Sequence, residues 1–296
     1  MVLQPGQPIR TPNPIDYWLP IVVVFGGNTL AYIFCQIRKD NSYIDVLWGL
    51  TFIAPIVALL ILFGATGQMI FARVWLNFVL ISIWGIRLAI HIGIRHNGED
   101  FRYVDMRNGW MKGGLCAYYI SAFVYVFMLQ AFFSLIVNAA SLYTTIWTAN
   151  NSLIWTDYVG LAVWIFGFVF ELVGDEQLKM HLADKTPGKT KFIKWGLWRY
   201  TRHPNYFGEA VLWWGIWIIA CSDSFGFVTV FAPLFITVLV RYVSGVPLLE
   251  KKYEARADWQ EYCAETNVFV PWFVNLNKPA MRLSLMNQKE QAENAT

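Results

Sequence analysis

Residues 199–209 read R-Y-T-R-H-P-N-Y-F-G-E and lead directly into the apolar run A-V-L-W-W-G-I-W-I-I-A of residues 210–220. The whole chain is 56% hydrophobic and only 15% charged, so this many hydrogen-bonding groups at the mouth of an apolar segment marks a polar helix entrance at a bilayer edge. Asn205 and Glu209 stand four apart and share one helical face. Pro204 suits a first helical turn, where its missing N–H costs nothing. The spacing predicts a helix entrance that faces the cytoplasm and aims polar groups at something large and anionic.

The flanking sequence agrees with a membrane setting. With 15 Trp, 22 Phe and 14 Tyr in 296 residues, the chain is too apolar for an ordinary soluble domain. Apolar runs of about twenty residues, some shorter, fall at 17–37, 43–63, 72–94, 115–142, 158–173, 206–221 and 225–248. They predict an all-α polytopic membrane protein of seven transmembrane helices. Cations gather in alternate connections: Arg38 and Lys39, then Arg95, Arg102, Arg107 and Lys112, then the lysine-rich stretch 179–202, then the C-terminal tail. The other side offers Arg10 and Arg73. By the positive-inside rule the N-terminus is outside and the C-terminus cytoplasmic.

The expected organisation is one membrane domain over residues 1–274 and a mobile polar tail over 275–296. The polar, proline-rich stretch 1–16 does not read as a removable signal peptide. Cys35, Cys116, Cys221 and Cys263 lack metal-ligand spacing and read as buried free thiols. No metal, nucleic acid or obligate protein partner is expected. The outer connections are short and nearly uncharged, so chemistry is expected on the cytoplasmic half.

Several clusters there could carry it. Asp45, near the start of the second span with Trp48 one turn on, is costly in an apolar setting unless paired or wet. It is either the partner of a buried arginine or an acid that polarises a substrate group. Trp84, Arg87 and His91 form one stripe of the third span, and Arg87 needs an anion, either Asp45 or a ligand. The connection 95–107 reads R-H-N-G-E-D-F-R-Y-V-D-M-R, either a solvated mixed-charge loop or a site in which Arg95, Arg102 and Arg107 offer forks suited to phosphates, with Glu99 and Asp100 placed to accept from ribose hydroxyls or to orient those arginines. Glu171, Asp175 and Lys179 share a helical face, and the last two could be a helix-supporting ion pair. The basic turn 186–198 lacks G-x-G-x-x-G and the P-loop pattern, so no soluble-type nucleotide fold is implied. After the last span, a helix bearing Trp259 and Tyr262 and ended by Pro271 reads as amphipathic and interfacial.

Taken together, R-H-P-N-Y-F-G-E, the preceding acidic helix and glycine turn, D-V-L-W-G in the second span, R-x-N-G-E-D-F-R-Y and the C-terminal aromatic-proline segment resemble the steroid 5-alpha-reductase family, its bacterial branch in particular. The resemblance covers roughly residues 40–273. It implies a seven-helix fold that binds NADPH in its cytoplasmic half and reduces a carbon–carbon double bond conjugated to a ketone, as in 3-oxo-4-ene steroids or related enone lipids. The setting would be a bacterial inner membrane or an endoplasmic reticulum, with the active site open to the cytoplasm.

By matching position, the resemblance places cofactor groups at Arg95, Arg102, Asp175, Tyr200, Asn205, Glu209 and Tyr262, with Tyr103, Lys179, Arg202, His203 and Tyr206 beside them in the same motifs. Trp48 and Trp84 would face a steroid or sterol-like lipid substrate. Asp45, aided by Tyr43 and with Arg87 at the substrate or cofactor edge, would be the acid group. Steroid-reducing eukaryotic members pair a glutamate with a tyrosine three residues before the span arginine, and Trp84 stands at that tyrosine's position here. R-H-P-x-Y alone is shared with isoprenylcysteine methyltransferases, so an S-adenosylmethionine-dependent membrane methyltransferase is the alternative.

Overall fold

The computed structural model describes residues 11–149 and 152–273, and among these there is no strand. Three long helices come first: α1 (Pro14–Arg38), α2 (Tyr43–Ala65) and α3 (Ala72–Arg95). Turns of a few residues join them, so sequence neighbours pack side by side. The connection 95–107, which reads as a loop in sequence, holds a further helix, α4 (Phe101–Met111). Its start is fixed by Asp100, whose carboxylate accepts from the Arg102 N–H at 3.0 Å.

The span Leu115–Val137 combines α5 (Leu115–Ser121), a π-helical middle and α6 (Leu129–Val137), and α7 (Ala139–Trp147) follows it. Next come α8 (Trp155–Ala183) and α9 (Pro204–Ala220). The last apolar segment, Gly226–Lys251, contains α10 (Phe231–Val238) and α11 (Val246–Lys251), and α12 (Ala257–Glu265) comes after it.

Among the described residues, six helices are long and apolar enough to cross a membrane, and the protein is an integral multi-pass membrane protein. The stretch 206–221, expected as a further span, is α9. Its 17 residues rise about 25 Å, short of a hydrocarbon core of about 30 Å. The stretch 158–173 departs the other way, because α8 extends it at both ends to 29 residues. Arg10 and the tail 275–296 lie outside the described residues.

The described residues form two compact units, those of 11–161 with 215–232, and those of 162–214 with 233–273. In the first, α2 and α3 meet backbone to backbone: a Cβ on Gly49 would lie 2.2 Å from the Gly85 carbonyl oxygen. Small residues permit such close approach where lipid gives helices no hydrophobic drive to associate. Gly49→Leu is expected to force the pair apart at a cost of about 1–3 kcal/mol or more. Thermal unfolding of the purified variant checks this, and an unchanged midpoint would show the approach to be dispensable.

Where α2 gives way to α3, the first unit is pinned by a charge cluster. Arg73 and Asp157 are fully buried and joined by Nε to Oδ1 at 2.7 Å and Nη2 to Oδ2 at 3.0 Å. Arg73 Nη1 also donates to Asp223 Oδ1 at 3.0 Å.

The second unit repeats the glycine device, since a Cβ on Gly167 would lie 2.5 Å from the Leu212 backbone nitrogen and 2.7 Å from the Gly208 carbonyl oxygen. Its C-terminal part is held by aromatic packing. Trp259 and Tyr262 of α12 are buried against Phe192 and Tyr253, with ring centroids 4.9 Å apart for Phe192 and Trp259. The helix expected to lie at the interface therefore turns these two aromatics inward, and it ends at Glu265, before Pro271. Cys35 is buried as expected, whereas Cys116 is exposed.

Candidate functional site

In the first unit, the junction between α1 and α2 and the α3–α4 connection build one polar network. Asp45 sits in the first turn of α2, and its two oxygens have different partners. Oδ1 accepts from the Tyr103 hydroxyl at 2.6 Å and Oδ2 from Arg102 Nη2 at 2.9 Å. Both partners come from α4, because residues 102 and 103 are adjacent in its first turn. Gln130 of α6 donates to the Tyr103 oxygen at 3.3 Å.

Burial, and then the neighbouring Asp45 charge, holds the Tyr103 phenol well above its ordinary range, so it keeps its proton at neutral pH. Burial would raise the Asp100 carboxyl, but hydrogen bonds from the Arg102 side chain and backbone N–H outweigh it and hold the group below its ordinary range. Asp100 also fixes Arg102 Nε at 2.8 Å, so the guanidinium is gripped by two carboxylates and aimed at Asp45.

Around this centre the turn is braced. Ser42 Oγ donates to Asp40 Oδ1 at 2.5 Å, and His96 Nε2 lies 3.0 Å from Asp40 Oδ2. Asn41 N–H donates to Glu99 Oε1 at 2.9 Å, and Glu99 also pairs with Arg107. The Tyr43 ring packs against His96 at 4.3 Å and Phe34 at 5.4 Å, and the hydroxyl beside Asp45 is that of Tyr103. Arg87 is half-buried on α3. Arg95 lies 3.1 Å from His91 Nε2. Trp48 and Trp84 are linked through Phe52, whose ring is 5.1 Å from the first and 5.2 Å from the second, and Trp84 is fully buried.

In the second unit, R-H-P-N-Y-F-G-E divides into two functions. Arg202 is engaged within the protein: Nε meets Glu250 Oε1 at 2.8 Å, and Nη1 donates to the Thr266 carbonyl at 2.7 Å and the Cys263 carbonyl at 3.2 Å. His203 Nε2 shares Glu250 Oε1 at 3.0 Å, and its ring stacks on Tyr206 at 5.7 Å. Burial holds His203 below its ordinary range, against the pull of Glu250. The segment is further tied by Thr201 Oγ1 to the Phe269 carbonyl at 2.7 Å and by Trp272 N–H to the Tyr200 carbonyl at 3.0 Å. Tyr262 donates its hydroxyl to the Trp198 carbonyl.

These contacts clasp residues 263–272 onto the helix entrance. The face beyond the clasp differs. Asn205 Nδ2 donates to Asp175 Oδ1 at 3.1 Å, while its Oδ1 is buried with no donor among the described residues. Glu209 lies one turn further along α9. Tyr200 and Lys179 are exposed, and Lys179 pairs with Glu176 at 3.3 Å, so the ion pair expected with Asp175 forms one residue along instead.

Sequence reasoning missed three features here. Tyr103 reads as a cofactor contact but is the hydroxyl partner of Asp45, a pairing that needs the α4 helix to be seen. The pair of Asp40 with His96 is separated by 56 residues, and no short motif announces it, whereas the pairing of Glu99 with Arg107 is one of the two roles the sequence offers for Glu99. Arg73 reads as an outer-side charge at the start of the stretch 72–94 but is buried between two carboxylates.

The sequence compares with known proteins as follows. No solved structure matches it. An uncharacterized protein of Schizosaccharomyces pombe is 27% identical over 222 residues, which cover 66% of this chain and 62% of that protein, less than two thirds of its length. The family described as "Protein of unknown function (DUF1295)" matches residues 31–266, a stretch that takes in the Asp45 network, the R-H-P-N-Y-F-G-E entrance and α12. This chain therefore belongs to the DUF1295 family.

Proposed function

We propose that the protein is an NADPH-dependent membrane reductase acting on a carbon–carbon double bond conjugated to a ketone, in a 3-oxo-4-ene steroid or related enone lipid. The observation that carries this reading is the Asp45–Tyr103 pair at 2.6 Å with Arg102 on the other carboxylate oxygen. Sequence resemblance left the family's tyrosine position occupied by Trp84, and Tyr103 supplies a phenol to the carboxylate from a different element.

The proposed chemistry follows from these groups. Reduction of an enone builds negative charge on the ketone oxygen, and a donor aimed at that oxygen is the largest contribution a protein makes. Tyr103 keeps its proton at neutral pH and can give it. Arg102 draws charge from Asp45 and so weakens the carboxylate as a competing acceptor for that proton. Asp45 in this reading orients the phenol rather than donating. Of the two tryptophans expected at the substrate, Trp48 is partly exposed and can meet an apolar ring, whereas Trp84 is fully buried behind Phe52 and packs the protein interior.

The cofactor groups fit as well. The buried Asn205 Oδ1 calls for an N–H donor, which a carboxamide provides. Exposed Arg95 offers a fork for phosphate, whereas the Arg102 fork is engaged by Asp45 and Asp100. Asp175, Lys179, Tyr200 and Glu209 complete the proposed set, while Arg202, His203, Tyr206 and Tyr262 position the entrance through their internal contacts. NADPH, when bound, would supply the hydride. We further propose that the short α9 joins the six longer helices as a seventh membrane-crossing segment, with the C-terminus in the cytoplasm, on the strength of the cation distribution.

The test is ligand-dependent stability of the purified protein. NADPH at a hundredfold excess over its dissociation constant should stabilise by about 2.7 kcal/mol, with NADH markedly weaker and S-adenosylmethionine without effect. Equal stabilisation by NADPH and NADH would remove the 2′-phosphate argument. Stabilisation by S-adenosylmethionine alone would replace the reductase by a methyltransferase.

A further inference from the structure

Within the first unit, α1 and α2 enclose a cavity of about 140 Å³ whose walls include none of the residues assigned above to catalysis, cofactor or substrate. Val23, Gly27, Leu47 and Ala54 make it apolar, and Gly27 and Ala54 are exposed on the protein's outer surface, so the cavity opens sideways through the helix pair. An apolar cavity of this size takes a benzene-sized group, at about 150 Å³. Polarity enters at two points only. Thr51 Oγ1 donates to the Trp48 carbonyl at 2.7 Å, which leaves its oxygen able to accept. Asn28 is 1% exposed, its Nδ2 donates to the Val24 carbonyl at 2.9 Å, and its Oδ1 has no donor among the described residues.

A buried amide oxygen in the middle of a membrane helix is costly without a donor. Satisfying Nδ2 on the helix's own backbone leaves that oxygen for something else. We propose that this cavity is a binding site for a hydroxyl-bearing lipid that enters from the bilayer, its O–H donating to Asn28 Oδ1 and its apolar body filling the space between α1 and α2. The requirement is for a donor attached to a compact hydrophobe, so an ether or alkane of the same shape does not qualify. The site is separate from the Asp45 network and does not depend on the reductase reading.

The experiment uses the full chain in lipid nanodiscs, photolabelled with a diazirine-bearing long-chain alcohol and, in parallel, with its methyl ether, which has no O–H. Peptide mass spectrometry should find the alcohol on residues 23–31 and 44–54 at several times the level of the ether. Asn28→Leu should reduce alcohol labelling to the ether level. Ala54→Phe, a change at an exposed position, should fill the cavity and abolish labelling by both probes while Asn28 remains, which keeps the test decisive if Asn28→Leu does not fold. Equal labelling by alcohol and ether, or alcohol labelling indifferent to both substitutions, would overturn the proposal and leave an ordinary lipid-lined crevice.

Discussion

Arg73→Met is expected to destabilise the folded protein by about 3–5 kcal/mol, because it removes one partner of a buried ionic cluster and strands the others. The guanidinium donates to both oxygens of Asp157, to Asp223 Oδ1 and to the Ser152 carbonyl at 3.1 Å, and these acceptors come from segments far apart in sequence. The carboxylates are themselves positioned: Ser222 Oγ donates to Asp157 at 2.9 Å and Thr148 Oγ1 to Asp223 at 2.9 Å. Methionine keeps the bulk and loses every donor. Lysine keeps the charge but cannot match the fork, so Arg73→Lys should fall between.

The pH dependence of that deficit has a sign. Burial already holds the Asp223 carboxyl above its ordinary range despite the pull of Arg73. A raised carboxyl favours the folded state at low pH and loses that advantage as pH rises through its folded value. In Arg73→Met the cation is gone and the rise is larger, so the loss relative to wild type should narrow as the sample is acidified below neutral. Thermal unfolding across that range measures it. A deficit that is absent, or that widens on acidification, would mean the cluster is not held by Arg73.

How much of this was legible in sequence depends on the distance over which each feature is written. Hydropathy runs along the chain, so 43–63 and 72–94 matched α2 and α3 to within a residue or two. For 206–221 the apolar run and α9, Pro204–Ala220, nearly coincide, and it is the helix's length of 17 residues that sets it apart from the six helices long enough to cross a membrane. Asp45 stood out because a carboxylate in an apolar helix is expensive. Its partners did not, since Arg102 and Tyr103 are 57 and 58 residues away on a helix that mixed charge made look like a loop. Charge counting placed Arg73 on the outer side at the start of the stretch 72–94, with no information on whether anions fold around it. Arg202 and His203 looked like ligand groups because they stand in the R-H-P-N-Y-F-G-E motif that carries the resemblance, and in the fold both turn to Glu250.

Tyr103→Phe is expected to lower turnover of a 3-oxo-4-ene steroid by about two to three orders of magnitude, the usual loss when one donor to a developing oxyanion is removed. The substitution deletes a single oxygen. The ring stays in the cluster with Ile44, Val126 and Phe127, so the fold should survive. The comparison that gives the result meaning is Asp45→Asn. Asp45 and Arg102 are 25% and 38% exposed at their side chains, so their ion pair is worth at most about 1 kcal/mol to stability. If Asp45 only orients the phenol, Asp45→Asn should keep part of the activity, because an amide oxygen can still accept from Tyr103. If Asp45 is itself the proton donor, Asp45→Asn should be the worse of the two. NADPH affinity, measured on both variants, should stay near wild type, which separates a lost donor from a lost cofactor. Tyr103→Phe with wild-type turnover would take the phenol out of the chemistry and return Asp45 and Tyr103 to a structural pair at the start of α2.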